Sequence, residues 1–141
     1  MSSSEIAPTG ILETVLYADD LVAAEAFYRD VLGLTLHGHV PGRHVFFRCG
    51  KQMLLIFAAN ETMKGARVGA LPVPAHGTHG QGHVCFRADA EEIETWRTHL
   101  ESKGVAIETD FRWPSGGRSI YFRDPGGNSI EFAEPRIWGL V

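Results

Sequence analysis

The sequence predicts an α+β fold made of two tandem βαβββ modules, and three observations support that prediction. The order strand, helix, strand, strand, strand appears in the first half of the chain and returns in the second half. A segment rich in Gly and Pro separates the two halves. GRHVFFR at residues 42–48 and GRSIYFR at 117–123 share four of seven residues, and ETVLYAD at 13–19 aligns with HVCFRAD at 83–89. Ordered self-similarity of this kind indicates a duplicated unit.

The first module is predicted over residues 10–60. GILETVLYA begins it as a strand, and the following pair of Asp residues provides an N-cap for an amphipathic helix that stops at Gly33. Three strands come next, LTLHGHV, HVFFRCG and KQMLLIFAA, with turns at the intervening PG and CG pairs. A hairpin centred on the CG pair at 49–50 is expected to place His44 opposite Leu55.

The second module is predicted over residues 82–136, after a breaker-rich linker at 61–81. GHVCFRA is its first strand, the following Asp caps a helix, and VAIETDFRW, GRSIYFR and NSIEFAE are its other strands. The turn DPGGN is centred on Gly126, so a regular hairpin places Tyr121 opposite Glu131.

The remaining segments are predicted to carry no module of their own. Residues 1–9 are Ser-rich and expected to be disordered, and residues 137–141 form a C-terminal tail. His76 and His79 lie in the linker, where the sequence alone favours an incidental role.

Composition argues against several classes of function. A chain of 141 residues suits one domain, which can bury a core without disulfides or a structural metal. A net charge of -4 without a Lys/Arg cluster argues against nucleic-acid binding. The longest apolar stretch has seven residues, far below the roughly 20 of a membrane span, and the start lacks a signal-peptide pattern. Two cysteines without CxxC spacing are expected to stay reduced. We therefore expect a cytoplasmic protein.

Alternation along the predicted strands leaves one face polar. Apolar residues such as Leu16 mark the face that the helices cover, whereas Glu13, His83 and Glu131 lie on the opposite face. Each alone is more typical of a solvated or structural residue. Their matching positions in the two modules would let them converge on a common cleft, where imidazole and carboxylates bind Zn, Mn, Fe, Ni or Co. Leu55, at the fourth matching position, cannot bind metal, and three protein ligands are typical of catalytic sites.

Long segments of the chain resemble a known family. ETVLYADDLVAAEAFYRDVLGL, GHVCFRAD and SIYFRDPGGNSIEF resemble the vicinal oxygen chelate superfamily, which contains glyoxalases, bleomycin-resistance proteins and type I extradiol dioxygenases. The resemblance implies an open eight-stranded mixed β-barrel around one divalent metal ion that chelates paired oxygens of a small-molecule substrate. It also implies a homodimer, and in many members the two modules that form one site belong to different subunits.

The resemblance assigns metal ligands to particular positions. His83 and Glu131 fall on the second-module ligands, and Glu13 falls on a first-module position that is commonly His and in some glyoxalase I enzymes Gln. Leu55 stands where glyoxalase I enzymes place a carboxylate that serves as ligand and base. Tyr121 resembles the extradiol tyrosine that forms a hydrogen bond to bound substrate oxygen.

Other residues are candidates for substrate binding or proton transfer. His44 is a candidate base or substitute fourth ligand, and Arg87 is a candidate for neutralising a substrate anion. Met53 and Phe57, beside Leu55, predict an apolar half of the pocket. These residues favour an aromatic or otherwise apolar substrate.

Two kinds of function stay open at this stage. The first is a divalent-metal-dependent enzyme with dioxygenase or lyase/isomerase chemistry. The second is a metal-free small-molecule-binding protein of the bleomycin-resistance type, which sequesters an antibiotic. The carboxylates and His83 favour the enzyme, because an apolar groove does not need two negative charges close together.

Overall fold

The computed structural model describes residues 6–141 and confirms an α+β fold with two modules of the same element order. Residues 1–5, on which part of the predicted disordered start falls, lie outside the described residues. The strands are β1 (Glu13–Tyr17), β2 (Thr35–Val40), β3 (His44–Cys49), β4 (Gln52–Phe57), β5 (His83–Arg87), β6 (Thr109–Arg112), β7 (Arg118–Arg123) and β8 (Ser129–Ala133). The helices are α1 (Leu21–Ala26), α2 (Ala59–Thr62) and α3 (Ala90–Ser102), with a π-helical turn (Phe27–Val31) directly after α1 and a 3-10 turn (Pro135–Trp138) after β8.

Each module forms one mixed four-stranded sheet, with strand orders β1-β4-β3-β2 and β5-β8-β7-β6. The pairs β1–β4 and β5–β8 are parallel, and the other neighbours are antiparallel. The edge strands β1 and β5 lie beside each other. Closure of the two sheets into one open eight-stranded barrel stays a prediction.

The strand registers agree with the internal repeat. Leu55 pairs with Val15 and Phe46 in the first sheet, while Glu131 pairs with Cys85 and Tyr121 in the second. These are equivalent positions of the two modules, so the alignment predicted from the sequence corresponds to a structural equivalence. The expected pairing of Tyr121 with Glu131 is confirmed.

The expected pairing of His44 with Leu55 is wrong: His44 lies opposite Phe57, and Phe46 lies opposite Leu55. The cause is the turn, because Cys49 pairs with Gln52 and the two turn residues are therefore 50 and 51. Gly50 has φ of 59°, which a type II′ hairpin turn requires at its first central position.

One apolar core lies between the sheets and the helices. Leu16, Phe47 and Ile56 fill its first-module part, and Phe122 and Ile130 fill its second-module part; all five are 2% exposed or less. Strand alternation sends these side chains toward the helices and leaves the other sheet faces for the candidate site. The first helix ends before Gly33 as expected, although its last turn is π-helical.

A buried polar network joins the modules. The Tyr28 hydroxyl donates to Asp124 Oδ2 at 2.7 Å, and Asp124 also accepts from the main-chain and side-chain nitrogens of Asn128. Asn128 Nδ2 lies 3.1 Å from the Tyr17 carbonyl oxygen of β1. Burial, followed by the Asp124 charge, raises the pKa of Tyr28. The network fixes the β7–β8 turn against the first module while leaving none of these buried groups unpaired.

The linker packs on the first module without long regular structure. After α2, no helix or strand occurs before β5 in the described chain. The His76 amide donates to the Thr62 carbonyl at 3.1 Å, which returns the linker to α2. Among the helices of residues 6–141, none is long and apolar enough to cross a membrane.

Candidate metal and substrate site

His83 and Glu131 come together on the face of the second sheet that points away from the helices. His83 Nε2 lies 3.2 Å from Glu131 Oε1. His83 Nδ1 lies 2.9 Å from the Ser129 carbonyl oxygen, which can only accept, so Nδ1 carries the hydrogen. In the neutral ring, Nε2 is then unprotonated, faces the carboxylate and has a lone pair that can bind a metal ion. A protonated ring would instead form an ion pair with Glu131.

Glu131 is buried and held by neighbouring donors. Glu131 is only 5% exposed, and the Ser119 hydroxyl donates to its Oε2 at 2.6 Å. Trp113 Nε1 donates to Ser119 Oγ at 2.8 Å. This chain of hydrogen bonds occupies Oε2 and orients Oε1 toward His83. His83 Nε2 and Glu131 Oε1 thus face each other with supporting hydrogen bonds behind them, as the ligands of metal centres commonly do.

Tyr121 and Cys85 flank Glu131 on the neighbouring strands β7 and β5. Burial, followed by the Glu131 carboxylate, raises the pKa of Tyr121 to about 12. The same two causes raise the pKa of Cys85 to about 12. Both groups therefore stay protonated near neutral pH and can donate hydrogen bonds. The Tyr121 ring also stacks on Phe111, with centroids 6.0 Å apart and an interplanar angle of 3°, which fixes its position.

Glu13 lies on the corresponding face of the first module and is exposed. In residues 6–141, no three His, Cys, Asp or Glu side chains form a group that could hold a metal ion. The structure therefore brings His83, Glu131 and Tyr121 together, and it does not gather Glu13 with the first two as three ligands within one chain.

Met53, Leu55 and Phe57 occupy alternate positions of β4, on the same face as Glu13. Leu55 and Phe57 are 8% and 6% exposed, and Met53 is half-buried opposite Glu13. Met53 also borders a cavity of about 610 Å³ that reaches Cys85 on β5. The β4 residues on this face are apolar, as the sequence indicated.

His44 belongs to an aromatic cluster on this face. Its ring stacks on Phe46 with centroids 4.0 Å apart and meets the Phe57 ring edge-on at 5.8 Å. Its Nδ1 lies 2.6 Å from Arg43 Nη1, and Nδ1 is therefore the acceptor. Burial first, then the charges of Arg43 and His39, lower the pKa of His44. His44 is consequently neutral near neutral pH, as a base requires.

His76 is a site residue that the sequence did not indicate. Its Nδ1 lies 2.5 Å from the Tyr17 hydroxyl, and its ring meets Phe57 edge-on at 4.9 Å. No local pattern could have signalled this, because the contact depends on how the linker returns to β1. Arg87, by contrast, donates to the main-chain oxygen of Val141 in the tail.

Comparison with known proteins supports one family. Residues 10–132 match the Glyoxalase/Bleomycin resistance protein/Dioxygenase superfamily. The crystal structure of lactoylglutathione lyase from Agrobacterium tumefaciens is 49% identical with a TM-score of 0.91, over 96% of this chain and 100% of that chain. A glyoxalase/bleomycin resistance protein/dioxygenase from Nocardioides is 25% identical with a TM-score of 0.71, over 92% of this chain and 85% of that one. Glutathione transferase FosA of Serratia marcescens is 29% identical over 116 residues, 82% of this chain and 74% of that protein. The chain therefore belongs to the Glyoxalase/Bleomycin resistance protein/Dioxygenase superfamily.

Proposed function

We propose that this chain is a divalent-metal-dependent enzyme acting on a small molecule that binds through paired oxygen atoms. The observation that supports this most is the 3.2 Å approach of His83 Nε2 to Glu131 Oε1. Ligand atoms bound to one ion at about 2.0–2.2 Å lie roughly 3.0–3.6 Å apart, so this separation fits two ligands of one metal. A divalent ion bound there would polarise substrate oxygens as a Lewis acid.

Glu13 completes the ligand set from a second copy of the chain in this proposal. It is exposed, it occupies the position equivalent to His83, and it lies outside the His83–Glu131 pair of its own chain. Ile11, Leu12 and Val15 beside it are 69%, 71% and 36% exposed. Exposed apolar side chains on an edge strand and in the segment just before it favour burial against another subunit, which supports the expected homodimer.

The residues around the metal position have separate roles. Tyr121, protonated near neutral pH, donates a hydrogen bond to negative charge that develops on a substrate oxygen. His44 is neutral, but its unprotonated Nδ1 already accepts from Arg43, so we do not assign it as the base. Leu55 and Phe57 exclude water from the apolar wall of the pocket.

We favour lyase or isomerase chemistry over oxygenation. The support is that the 49% identical protein is named a lactoylglutathione lyase, and the 29% identical one, a glutathione transferase, is not named an oxygenase either. Leu55 stands at the position where glyoxalase I enzymes have a carboxylate ligand. Glu13 is therefore the single carboxylate that β1 and β4 can offer to a metal or a substrate. Formation of lactoylglutathione and oxygen uptake with catechols are the two assays that separate lyase from dioxygenase chemistry.

Metal content tests the proposal. Protein reconstituted in turn with Fe, Mn, Ni, Co and Zn and then desalted is expected to retain about one ion per chain for the preferred metal. His83→Gln and Glu131→Gln each remove a ligand and should abolish retention. Glu101→Gln, on the exposed face of α3, is the matched control and should retain the metal. If the wild type retains no metal, the enzyme proposal is wrong and metal-free ligand binding replaces it.

A further inference from the structure

A second candidate binding feature lies beneath the linker, away from His83 and Glu131. Residues of the linker, α2 and the β2–β3 turn line an open cavity of about 460 Å³. Arg43, Lys64 and Arg67 line it together with Glu61, and the exposed side chains of Leu71 and Val73 form part of its apolar rim. The cavity thus combines an apolar surface with three cationic side chains and one carboxylate.

Two of the three cations have no carboxylate partner. Lys64 Nζ lies 2.8 Å from Glu61 Oε2, which uses the single carboxylate of the lining. Within residues 6–141, neither Arg43 nor Arg67 forms an ion pair. The lining therefore carries a net charge of about +2 in a chain whose net charge is -4. Lys64 chiefly, with Arg67 and Arg43 adding to it, lowers the pKa of Glu61, as expected where positive charge is in excess.

Arg43 is positioned by neutral groups rather than by an acid. Its Nη1 lies 2.6 Å from His44 Nδ1, and its guanidinium carbon lies 5.7 Å from the Phe57 ring centroid. Stacking on an aromatic ring orients a guanidinium but leaves its charge uncompensated. The planar group retains other N–H donors for an oxyanion.

We propose that this cavity binds the oxyanion group of a small molecule, a carboxylate, phosphate or phosphonate, through Arg43 and Arg67. The apolar part of the ligand packs against Leu71 and Val73. Charge-assisted hydrogen bonds from two arginines supply the affinity, and Glu61, the one carboxylate of the lining, is already paired with Lys64.

The cavity gives the proposed enzyme a substrate class. His44, which lines the cavity, lies opposite Phe57 in the sheet, and Phe57 lies beside Tyr17 of β1. Glu13 lies four residues before Tyr17 on the same strand, a distance of about 13 Å. An elongated substrate with an anionic end in this cavity can therefore place paired oxygens near Glu13. Anion binding stands without the metal, whereas its role in substrate recognition rests on the proposed function.

The test is calorimetric titration of the full chain, without metal, with benzoate, phenylphosphonate and benzyl alcohol. Both anions should bind, and the alcohol, which has the same ring without the charge, should bind at least about tenfold more weakly. Arg43→Gln and Arg67→Gln should each weaken anion binding about tenfold or more. Arg112→Gln, an exposed arginine on β6, should leave it unchanged. The tighter of the two anions identifies the preferred group, carboxylate or phosphonate.

Two results would overturn the proposal: equal binding of the alcohol and the anions, or equal weakening by Arg112→Gln and the cavity variants. Repeating the titration with His83→Gln separates this proposal from the proposed function. That variant should lose metal while still binding the anions. Loss of anion binding in His83→Gln would place the anion at the metal position and contradict the separate cavity.

Discussion

At the residue scale, Glu131 depends on side chains from two neighbouring strands. Ser119 on β7 holds its Oε2, and His83 on β5 faces its Oε1. Because Ser119 is fully buried and also accepts from Trp113, its hydroxyl is both a donor to the proposed ligand and the partner of an indole N–H. Orientation of a metal ligand by such a neighbour commonly determines metal affinity.

Ser119→Ala is therefore expected to lower metal affinity about 10- to 100-fold. It should also lower the free energy of unfolding by about 1–3 kcal/mol, because the Trp113 N–H and Glu131 Oε2 both lose their partner. Competition with a metal-sensitive dye and urea unfolding measure the two effects. Ser102→Ala, at the exposed end of α3, is the control. Unchanged metal affinity in Ser119→Ala would show that Ser119 does not position Glu131.

His44 gives a pH prediction at the same scale. Burial and the charges of Arg43 and His39 lower the pKa of His44 in the folded chain. As the pH falls below 6.5, the ordinary pKa of histidine, the unfolded chain therefore binds more protons at this residue than the folded chain does. The free energy of unfolding should therefore fall as the pH decreases from about 7 to about 5. His44→Gln should reduce this fall, whereas the exposed His37→Gln should not.

Urea unfolding at each pH measures this dependence, and NMR titration of the His44 ring gives its pKa directly. Arg43→Gln should raise that pKa, since it removes a nearby positive charge. A His44 pKa above 6.5 in the wild type would contradict the interpretation.

At the scale of elements, the linker determines both the anion cavity and the position of His76. It packs closely on α2 at Gly77, where an added Cβ would lie 2.4 Å from Met63 Cγ and 3.0 Å from the Ala59 carbonyl oxygen. The carbonyl belongs to the helix backbone and cannot move away easily. A side chain at this position must displace the linker.

Gly77→Ala is thus expected to weaken benzoate binding about tenfold or more while metal retention stays at the wild-type level. The reason is that the linker carries Arg67 and the apolar rim of the cavity, whereas His83 and Glu131 lie on other elements. Calorimetry and elemental analysis measure the two. Gly10→Ala, where an added Cβ meets nothing within 4 Å, is the control. Equal benzoate binding by both variants would show that the position of the linker does not determine anion binding.

The sequence predicted the elements and registers that depend on local pattern and repetition. Tyr121 and Glu131 pair as expected, because the DPGGN turn and the strand alternation determine their register. The pairing of His44 was missed by two residues, because the turn type at Gly50 depends on backbone conformation that the CG pair does not reveal. The contact between His76 and Tyr17 spans 59 residues and arises from tertiary packing, for which no local pattern exists.

At the scale of the whole molecule, the two modules share one core and one buried polar network. Tyr28 of the first module and Asp124 of the second form its central hydrogen bond. Both groups are nearly inaccessible to water, so neither can replace its partner with solvent. The modules are therefore expected to unfold together.

Tyr28→Phe should lower the free energy of unfolding by about 1–3 kcal/mol, since Asp124 loses a donor while the ring packing is kept. The transition should remain single, as followed by tryptophan fluorescence and far-UV circular dichroism. Tyr17→Phe, which removes a hydroxyl outside this network, is a control and should be milder. Two separate transitions in the wild type would contradict cooperative folding of the modules.

The pairing of Glu13 with the His83–Glu131 pair of another subunit is best tested with a mixed dimer. Glu13→Ala and Glu131→Ala chains with different tags are co-expressed, and the mixed dimer that carries both tags is purified. If each site takes ligands from both chains, this dimer keeps one intact site, formed by Glu13 of the Glu131→Ala chain and Glu131 of the Glu13→Ala chain. Each variant alone should retain no metal, and the doubly tagged pair should retain about one ion. A mixed pair without metal, formed from a wild type that binds metal, would contradict the shared site.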